Sequence, residues 1–358
     1  MRSRVLLRLL LTGVLFACGR SAPPPAPLTP PEPGLGRFES FSGERAWADL
    51  EAFSVIGSRV SGSRGARSAR QYIRSQLATV GVDGEKLTTR VELEGLDPLE
   101  LTHIEATIPG ASPQLFVLVA PYDSSRFEGV AFIGANDGAS GSALLLEFAR
   151  ILSDQPLPYT ARLLFLDGEG RLGRGGPEVE DRRGLGSRSV AERMQEAGVL
   201  DEIRLLVAFN RLCDADLRIA RDLGSHRIHR EEFWRAAARL GRTDAFRFGD
   251  PFESPMSSHV AFRELGVRPT VAIEDTVFGG EAPPGIYANT AQDDLAHCSP
   301  ESLEDAGVVS LAAIETIGDR LAKIDRFARS PLTELEPPAG GADSSGGAGE
   351  SSPLASPR

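Results

Sequence analysis

The sequence has few cysteines and no excess of positive charge, and each shortage excludes a class of protein. Three cysteines in 358 residues are too few for a fold built on a disulfide framework. The net charge is -11, so the chain lacks the basic surface that a nucleic-acid partner requires. Hydrophobic residues make up 41% of the chain, which is enough for one large domain or two small ones.

The amino-terminal segment has the pattern of an export signal. Residues 1–17 carry three arginines and then a short apolar stretch, which predicts a signal peptide rather than a membrane span. The Leu-Phe-Ala-Cys sequence that ends at Cys18 resembles a bacterial lipobox, in which Cys18 becomes the lipidated first residue. Ordinary cleavage beside an unrelated cysteine is the alternative. The lipobox interpretation predicts an exported protein that is anchored to a membrane of the bacterial cell envelope through Cys18.

Two further segments are expected to lie outside the folded domain. Residues 18–36 are rich in proline and predict a semi-rigid tether. Residues 331–358 are rich in glycine, serine, proline and alanine, and they predict a disordered tail. The folded domain is therefore expected at residues 37–330.

Short apolar runs alternate with amphipathic helical patterns through this domain. Strands are predicted at 88–93, 104–108, 115–120, 161–166, 203–209 and 270–273. Helices are predicted at 44–53, 66–80, 139–152, 190–197, 231–240, 258–265 and 300–321. This alternation, with a meander early in the chain, predicts an α/β fold in which helices cover both faces of a mixed, twisted β-sheet.

Acidic residues follow two of the predicted strands. Asp123 and Asp137 come after the strand at 115–120, and Glu169 comes after the strand at 161–166. Because open α/β sheets place their sites at the carboxyl ends of strands, we expect these side chains to lie near one another.

A series of motifs then carries a family resemblance. Pro-Tyr-Asp-Ser (121–124), Gly-Ala-Asn-Asp (134–137), Asp-Gly-Glu-Gly (167–170) and Asn-Thr-Ala-Gln-Asp (289–293) occur in this order. They resemble the zinc-dependent exopeptidases of the bacterial leucyl aminopeptidase type, and especially the glutaminyl-peptide cyclotransferases. The resemblance covers roughly residues 54–321. It implies a mixed sheet flanked by helices and a site where histidines and carboxylates at strand ends hold zinc.

Two functional positions of that family are intact. Asp137 matches the metal-binding aspartate, which bridges the ions in two-metal members. Glu169 matches the glutamate that acts as general base. Asp123 and Asp293 lie in the matching motifs as supporting residues.

Four other metal-binding positions of the family carry residues of a different kind. Pro121 and Asn289 stand where the family has histidines, Gly170 where it has a second glutamate, and Asn210 where it has an aspartate. One carboxylate cannot hold zinc, and a general base without a metal loses most of its catalytic leverage. The resemblance therefore implies a pseudoenzyme in which Glu169 is a vestigial base, with no cofactor expected and zinc only if the protein is active.

Three functions follow from this pattern. The leading hypothesis is a lipid-anchored, non-catalytic module that binds a peptide or a protein partner. The second is an active aminopeptidase or glutaminyl cyclase with a rebuilt site. The third is a structural envelope protein whose site region has no role.

A relocated cation site is a separate hypothesis. Asp123, Asp137 and Glu169 together could hold calcium or magnesium, which accept all-oxygen ligands. The simpler interpretation is that Asp123 caps a turn and Asp137 bonds the amides of the glycine-rich loop.

Several other residues have two interpretations each. His226 and His229 have a spacing that suits metal binding, but their arginine neighbours favour a solvated basic turn. His259 and His297 are expected to be capping or surface residues. Cys213 and Cys298 either form a disulfide, which an envelope compartment permits, or remain two buried thiols. The loops at 173–186 and 279–285 are candidate recognition surfaces.

Overall fold

The computed structural model describes residues 36–92, 98–171, 183–250, 252–253, 255 and 257–329. The signal peptide, Cys18, nearly all of the proposed tether and the tail lie outside these residues, as does most of the loop at 173–186. Residues up to Asp319 belong to one compact unit, and the described part of the second unit is the end of the last helix from Arg320.

The described residues form eight strands and seven α-helices in alternation. The strands are β1 (Gly84–Val91), β2 (Leu99–Ile108), β3 (Ser112–Pro121), β4 (Tyr159–Leu166), β5 (Ile203–Asn210), β6 (Arg221–Asp222), β7 (Phe252–Glu253) and β8 (Thr270–Glu274). The helices are α1 (Gly43–Ile56), α2 (Arg64–Thr79), α3 (Ser140–Asp154), α4 (Leu185–Glu196), α5 (Arg227–Leu240), α6 (His259–Glu264) and α7 (Pro300–Arg329).

Six strands build the central sheet in the order β1-β2-β4-β3-β5-β8. The pairs β1–β2 and β2–β4 are antiparallel, whereas β3–β4, β3–β5 and β5–β8 are parallel. The predicted mixed sheet is confirmed. A separate two-stranded pair, β6–β7, was not predicted, because two residues are too few to show an alternating pattern.

Strand β3 shows why helices cover both faces. All residues from Leu115 to Pro121 are buried, so its apolar run does not alternate with polar residues. Leu115, Val117 and Val119 join a core with α4 and α6, because successive side chains of a strand point to opposite faces. On the other face Ala120 packs against Gly141 at the start of α3.

The predicted helices and strands all correspond to observed ones, and the differences lie at their ends. The final helix shows the largest of them: it ends at Arg329 rather than at residue 321. No helix in the described part of the chain is long and apolar enough to span a membrane.

Candidate functional site

The carboxyl ends of the parallel strands β3, β4, β5 and β8 meet at a pocket of about 100 Å³. The lining includes Asp137, Glu169, Asn210, Arg211, Glu274 and Asn289. The expected location at the carboxyl edge of the sheet is therefore confirmed, and the three acidic residues Asp123, Asp137 and Glu169 all line this pocket.

Asp137 is bound by a side chain from the next parallel strand. The Nδ2 atom of Asn210 donates to Asp137 Oδ1 at 3.1 Å, and Asn210 Oδ1 accepts from the backbone N–H of Gly138 at 3.2 Å. The second bond fixes the amide orientation, so Asn210 turns its nitrogen toward Asp137. The expectation that the Asp137 carboxylate bonds the amides of the glycine-rich loop is wrong.

Asp293 bonds those amides instead. Its carboxylate accepts from the backbone N–H groups of Asn136 at 2.6 Å and Asp137 at 3.2 Å. Burial and repulsion from Asp137 raise the pKa of Asp293 to about 7. Asp293 therefore joins the segment before α7 to the loop that carries Asp137.

Both carboxylate oxygens of Glu169 have hydrogen-bond donors. Oε1 accepts from the backbone N–H of Ser187 at 2.6 Å, and Oε2 accepts from the hydroxyl of Ser258 at 2.5 Å. Burial raises the pKa of Glu169, although these two bonds act in the opposite direction. Hydrogen bonds from Ser187 and Ser258 thus fix the Glu169 carboxyl group in the pocket.

Asp123 lines the pocket as a buried carboxyl group that bonds the backbone. Its oxygens accept from the N–H groups of Glu169 at 3.2 Å and Gly170 at 3.0 Å. Burial and repulsion from Asp167 raise the pKa of Asp123 well above its usual range. This is the turn-capping role of the simpler interpretation. Within the described residues, no three His, Cys, Asp or Glu side chains gather closely enough to hold a metal ion.

Arg211 and Glu274 are pocket residues that the sequence did not reveal. Arg211 follows β5 directly, and its side chain lies 3.5 Å from Asp137 and 3.6 Å from Glu274. Glu274 ends β8, and burial raises its pKa even though Arg211 opposes the shift. The available signal for Glu274 was an acidic residue directly after a buried apolar run.

Three of the positions where the resemblance implies changed metal ligands also border the pocket. Pro121 is the last residue of β3, and Asn289 has a left-handed backbone with φ of 59°. Gly170 packs closely against its neighbour: a Cβ atom at this position would lie 2.8 Å from the backbone nitrogen of Ser125. A side chain at position 170 would therefore require the backbone to move.

The predictions for His226, His229 and His259 need correction. His229 is buried, and so is Arg230, which donates to the backbone carbonyl of Asp222. The predicted solvated turn therefore holds for the exposed Arg227 but not for His229 and Arg230. The half-buried His226 ring caps α5 by accepting from His229 N–H at 3.4 Å. His259 is fully buried 3.0 Å from Asp222 rather than at the surface.

Two segments that border the site are joined covalently. Cys213 and Cys298 form a disulfide, with Cα atoms 4.7 Å apart. Cys213 N–H also donates to the side chain of Asn136, which precedes Asp137. Of the two candidate recognition loops, the one at 279–285 is described: Gly279 N–H donates to Asp214, next to the disulfide. Its role in recognition stays a prediction.

Asp275 is a fully buried acidic residue beside the pocket residue Glu274. Its carboxylate accepts from the N–H groups of Arg218 and Val277. Burial and repulsion from Asp214 raise its pKa to about 8, against the attraction of Arg211.

We expect the Asp275 carboxyl to stabilise the fold more as pH falls from 8 to 6. The folded state binds a proton in this window that the unfolded state does not, so this contribution is lost as pH rises through 8. Each bound proton changes the free energy of unfolding by about 1.4 kcal/mol per pH unit. Denaturant unfolding at pH 6 and pH 8 should therefore show a smaller pH effect in Asp275→Asn than in the natural protein. Exposed Asp201→Asn is the control, and an equal pH effect in both variants would contradict the assignment.

The mixed sheet with a polar pocket at its carboxyl edge defines a protein of the zinc-exopeptidase and glutaminyl-cyclase fold class. A glutaminyl cyclase from an Acidobacteriales bacterium aligns with a TM-score of 0.70 and 26% identity, over 83% of this chain and 99% of that one. A Zn-dependent exopeptidase from Parabacteroides distasonis aligns with a TM-score of 0.68 over 77% of this chain and 98% of that one. Its identity is 20%, so this likeness shows the fold alone.

The chain belongs to peptidase family M28, whose model matches residues 103–314. It is 31% identical over 163 residues to a glutaminyl-peptide cyclotransferase of Drosophila melanogaster, covering 44% of this chain and 45% of the relative. It is 34% identical over 149 residues to a glutaminyl-peptide cyclotransferase-like protein of Bos taurus, covering 38% of each. The matched region thus spans less than half the length of these relatives.

Proposed function

We propose that this chain is a non-catalytic member of peptidase family M28 that binds the amino terminus of a peptide or of a protein partner. The observation that carries the proposal is the composition of the pocket. It keeps the carboxylates of Asp137 and Glu169, but Pro121, Gly170, Asn210 and Asn289 stand at the other positions where the resemblance implies metal ligands.

Zinc does not fit these donors. The metal needs three or four nitrogen, sulfur or oxygen ligands in a tight shell. Asn210 directs its amide N–H toward Asp137, and an N–H donor cannot ligate a cation. The structure describes all five histidines, and none of them lines the pocket. Gly170 has no room for a side chain without backbone movement.

The charge of the pocket favours an ammonium group as ligand. The lining contains five carboxyl groups against three arginines, and the guanidinium of Arg211 contacts two of the carboxylates, Asp137 and Glu274. A peptide's α-ammonium group has three N–H donors and a positive charge that such a lining would attract. The bound peptide would remain intact, because Glu169 has no metal to activate its target.

Attachment to the cell envelope is part of the same proposal. The signal peptide pattern at residues 1–17, the lipobox ending at Cys18 and the proline-rich tether at 18–36 support it. A tethered domain of this kind would display its pocket to peptides or proteins near the membrane surface.

Peptide binding to the purified full-length protein tests the proposal. We expect a peptide with a free amino terminus to bind at least ~10-fold more tightly than its N-acetylated form, because a charge-assisted hydrogen bond contributes about 1.5–3 kcal/mol. Isothermal titration calorimetry with both peptides measures the ratio. Glu274→Gln should reduce the ratio, whereas Glu51→Gln, at an exposed side chain on α1 away from the pocket, should leave it unchanged.

The same sample separates the competing functions. Elemental analysis after exposure to zinc should find no stoichiometric metal, and aminopeptidase and glutaminyl-cyclisation assays should show no turnover. Stoichiometric zinc together with turnover that Glu169→Gln abolishes would establish an active enzyme with a rebuilt site. Absence of metal, turnover and peptide binding together would favour a structural envelope protein.

A further inference from the structure

Arg211 lies between two carboxylates of the pocket. It is the residue after β5, and it reaches Asp137, which precedes α3, and Glu274, which ends β8. One guanidinium thus lies between two carboxylates from different segments of the chain. Only 20% of its side chain is exposed, so water screens these attractions weakly.

The backbone at Arg211 is in the left-handed region that non-glycine residues rarely adopt. Its φ is 53°, and its carbonyl accepts from the N–H of Asp275 on the neighbouring segment. Such a conformation is strained and persists only where the surrounding structure supports it. At this position it accompanies a side chain that extends into the pocket rather than into solvent.

The neighbours of Arg211 explain why a cation is required. Asp137, Glu274 and Asp293 all attract it, and Asp137 makes the largest contribution to raising its pKa. Asn210 donates a hydrogen bond to Asp137 but carries no charge. Carboxylates held this close repel one another unless a positive charge lies between them.

We propose that the Arg211 guanidinium is a resident cation that takes the electrostatic place of a metal ion between Asp137 and Glu274. The inference rests on the metal-free site of the proposed function, although it is independent of peptide binding. Arginine suits this place because it is always charged and its planar group offers N–H donors to two carboxylates at once. A divalent ion would have to displace it.

The test compares Arg211→Met with the natural full-length protein. Methionine keeps much of the side-chain length without the charge, so Asp137 and Glu274 are left uncompensated. We expect the melting temperature to fall by about 5 °C or more. Added calcium, magnesium or zinc should restore part of the loss in Arg211→Met and should not raise the melting temperature of the natural protein.

Three controls separate charge from packing. Arg211→Lys should retain most of the stability, because it keeps a positive charge. Asp137→Asn combined with Arg211→Met should be more stable than Arg211→Met alone, and added cations should raise its melting temperature less. If Arg211→Met alone does not fold, the double variant can be compared with Asp137→Asn in its place. Arg90→Met, which removes an exposed ion pair with Glu92 away from the pocket, should change little.

The outcomes distinguish this inference from the proposed function. Stoichiometric zinc in the natural protein would refute the metal-free site and both proposals with it. A metal-free natural protein whose Arg211→Met variant melts unchanged and ignores cations would refute the resident cation alone. Equal losses in Arg211→Lys and Arg211→Met would also refute it, since charge would then not be the property that matters.

Discussion

Replacing Cys213 and Cys298 together by serine is expected to lower the free energy of unfolding by about 4 kcal/mol. The disulfide closes a loop with a sequence separation of 85, and long loops lose the most conformational entropy when they are cross-linked in the unfolded state. One end of the loop follows β5 and the other lies just before α7, and Asp214 and Cys298 pair there as an isolated antiparallel bridge. One end lies two residues after Arg211, which lines the pocket, and Asp293 near the other end bonds the loop that carries Asp137, so peptide binding should weaken as well.

Denaturant unfolding of the full-length protein, with and without a reducing agent, measures the effect. The natural protein under reducing conditions should approach the stability of the double variant, and the double variant should not respond to the reducing agent. Each single cysteine-to-serine variant should lose about as much as the pair, because either change removes the same bond. A loss below about 1 kcal/mol would mean that the reduced chain keeps the two segments together by other contacts.

The fold was predictable because most of its strands are buried on both faces. A run such as Leu115–Pro121 is apolar throughout, and proline or glycine marks its ends, so both its type and its limits can be read from the sequence. The strand order could not be predicted from such patterns. Strand β4 pairs with β2 on one side and β3 on the other, and those choices depend on packing between segments that are distant in sequence.

Residues of the site could be predicted from the sequence only where they lie in a recognisable motif. Asp137 and Glu169 lie in short glycine-rich motifs directly after buried strands, so the resemblance located them correctly in one pocket. Arg211 was missed because an arginine after a strand looks like an ordinary loop residue. Its role depends on contacts with Asp137 and Glu274, which are distant in sequence and lie beside Arg211 only in the folded protein. The predictions for His229 and His259 failed for a related reason: local charge patterns do not report burial.

The charges of the site explain how the residues at the positions of the proposed ligand changes fit together. A carboxylate at position 210 would add negative charge beside Asp137, whereas the amide of Asn210 donates a hydrogen bond there. Arg211 then supplies the positive charge that Asp137 and Glu274 require. Restoring a single metal ligand would therefore not rebuild a zinc site, because the guanidinium and the close packing at Gly170 would both remain.

Substituting methionine for Arg59 is expected to destabilise the domain by about 4 kcal/mol. Arg59 is fully buried, and its guanidinium donates to the backbone carbonyls of Gly57, Tyr122, Ile133 and Gly134. Burial lowers its pKa to about 10, so it remains charged at neutral pH. The loop it holds runs from the end of β3 to Asp137, which means that the same change should also weaken peptide binding.

Arg67→Met is the matched control, because Arg67 is exposed and donates only to the carbonyl of Gly62 among the hydrogen bonds of the described residues. Denaturant unfolding and calorimetric peptide titration should be run on both variants. A buried ion pair can sometimes be replaced by apolar residues without loss, but the partners of Arg59 are backbone carbonyls that no substitution can remove. Leaving several of them unpaired costs about 1–3 kcal/mol each unless water enters. A loss in Arg59→Met as small as that in Arg67→Met would therefore mean that water reaches the loop and that Arg59 does not hold the site.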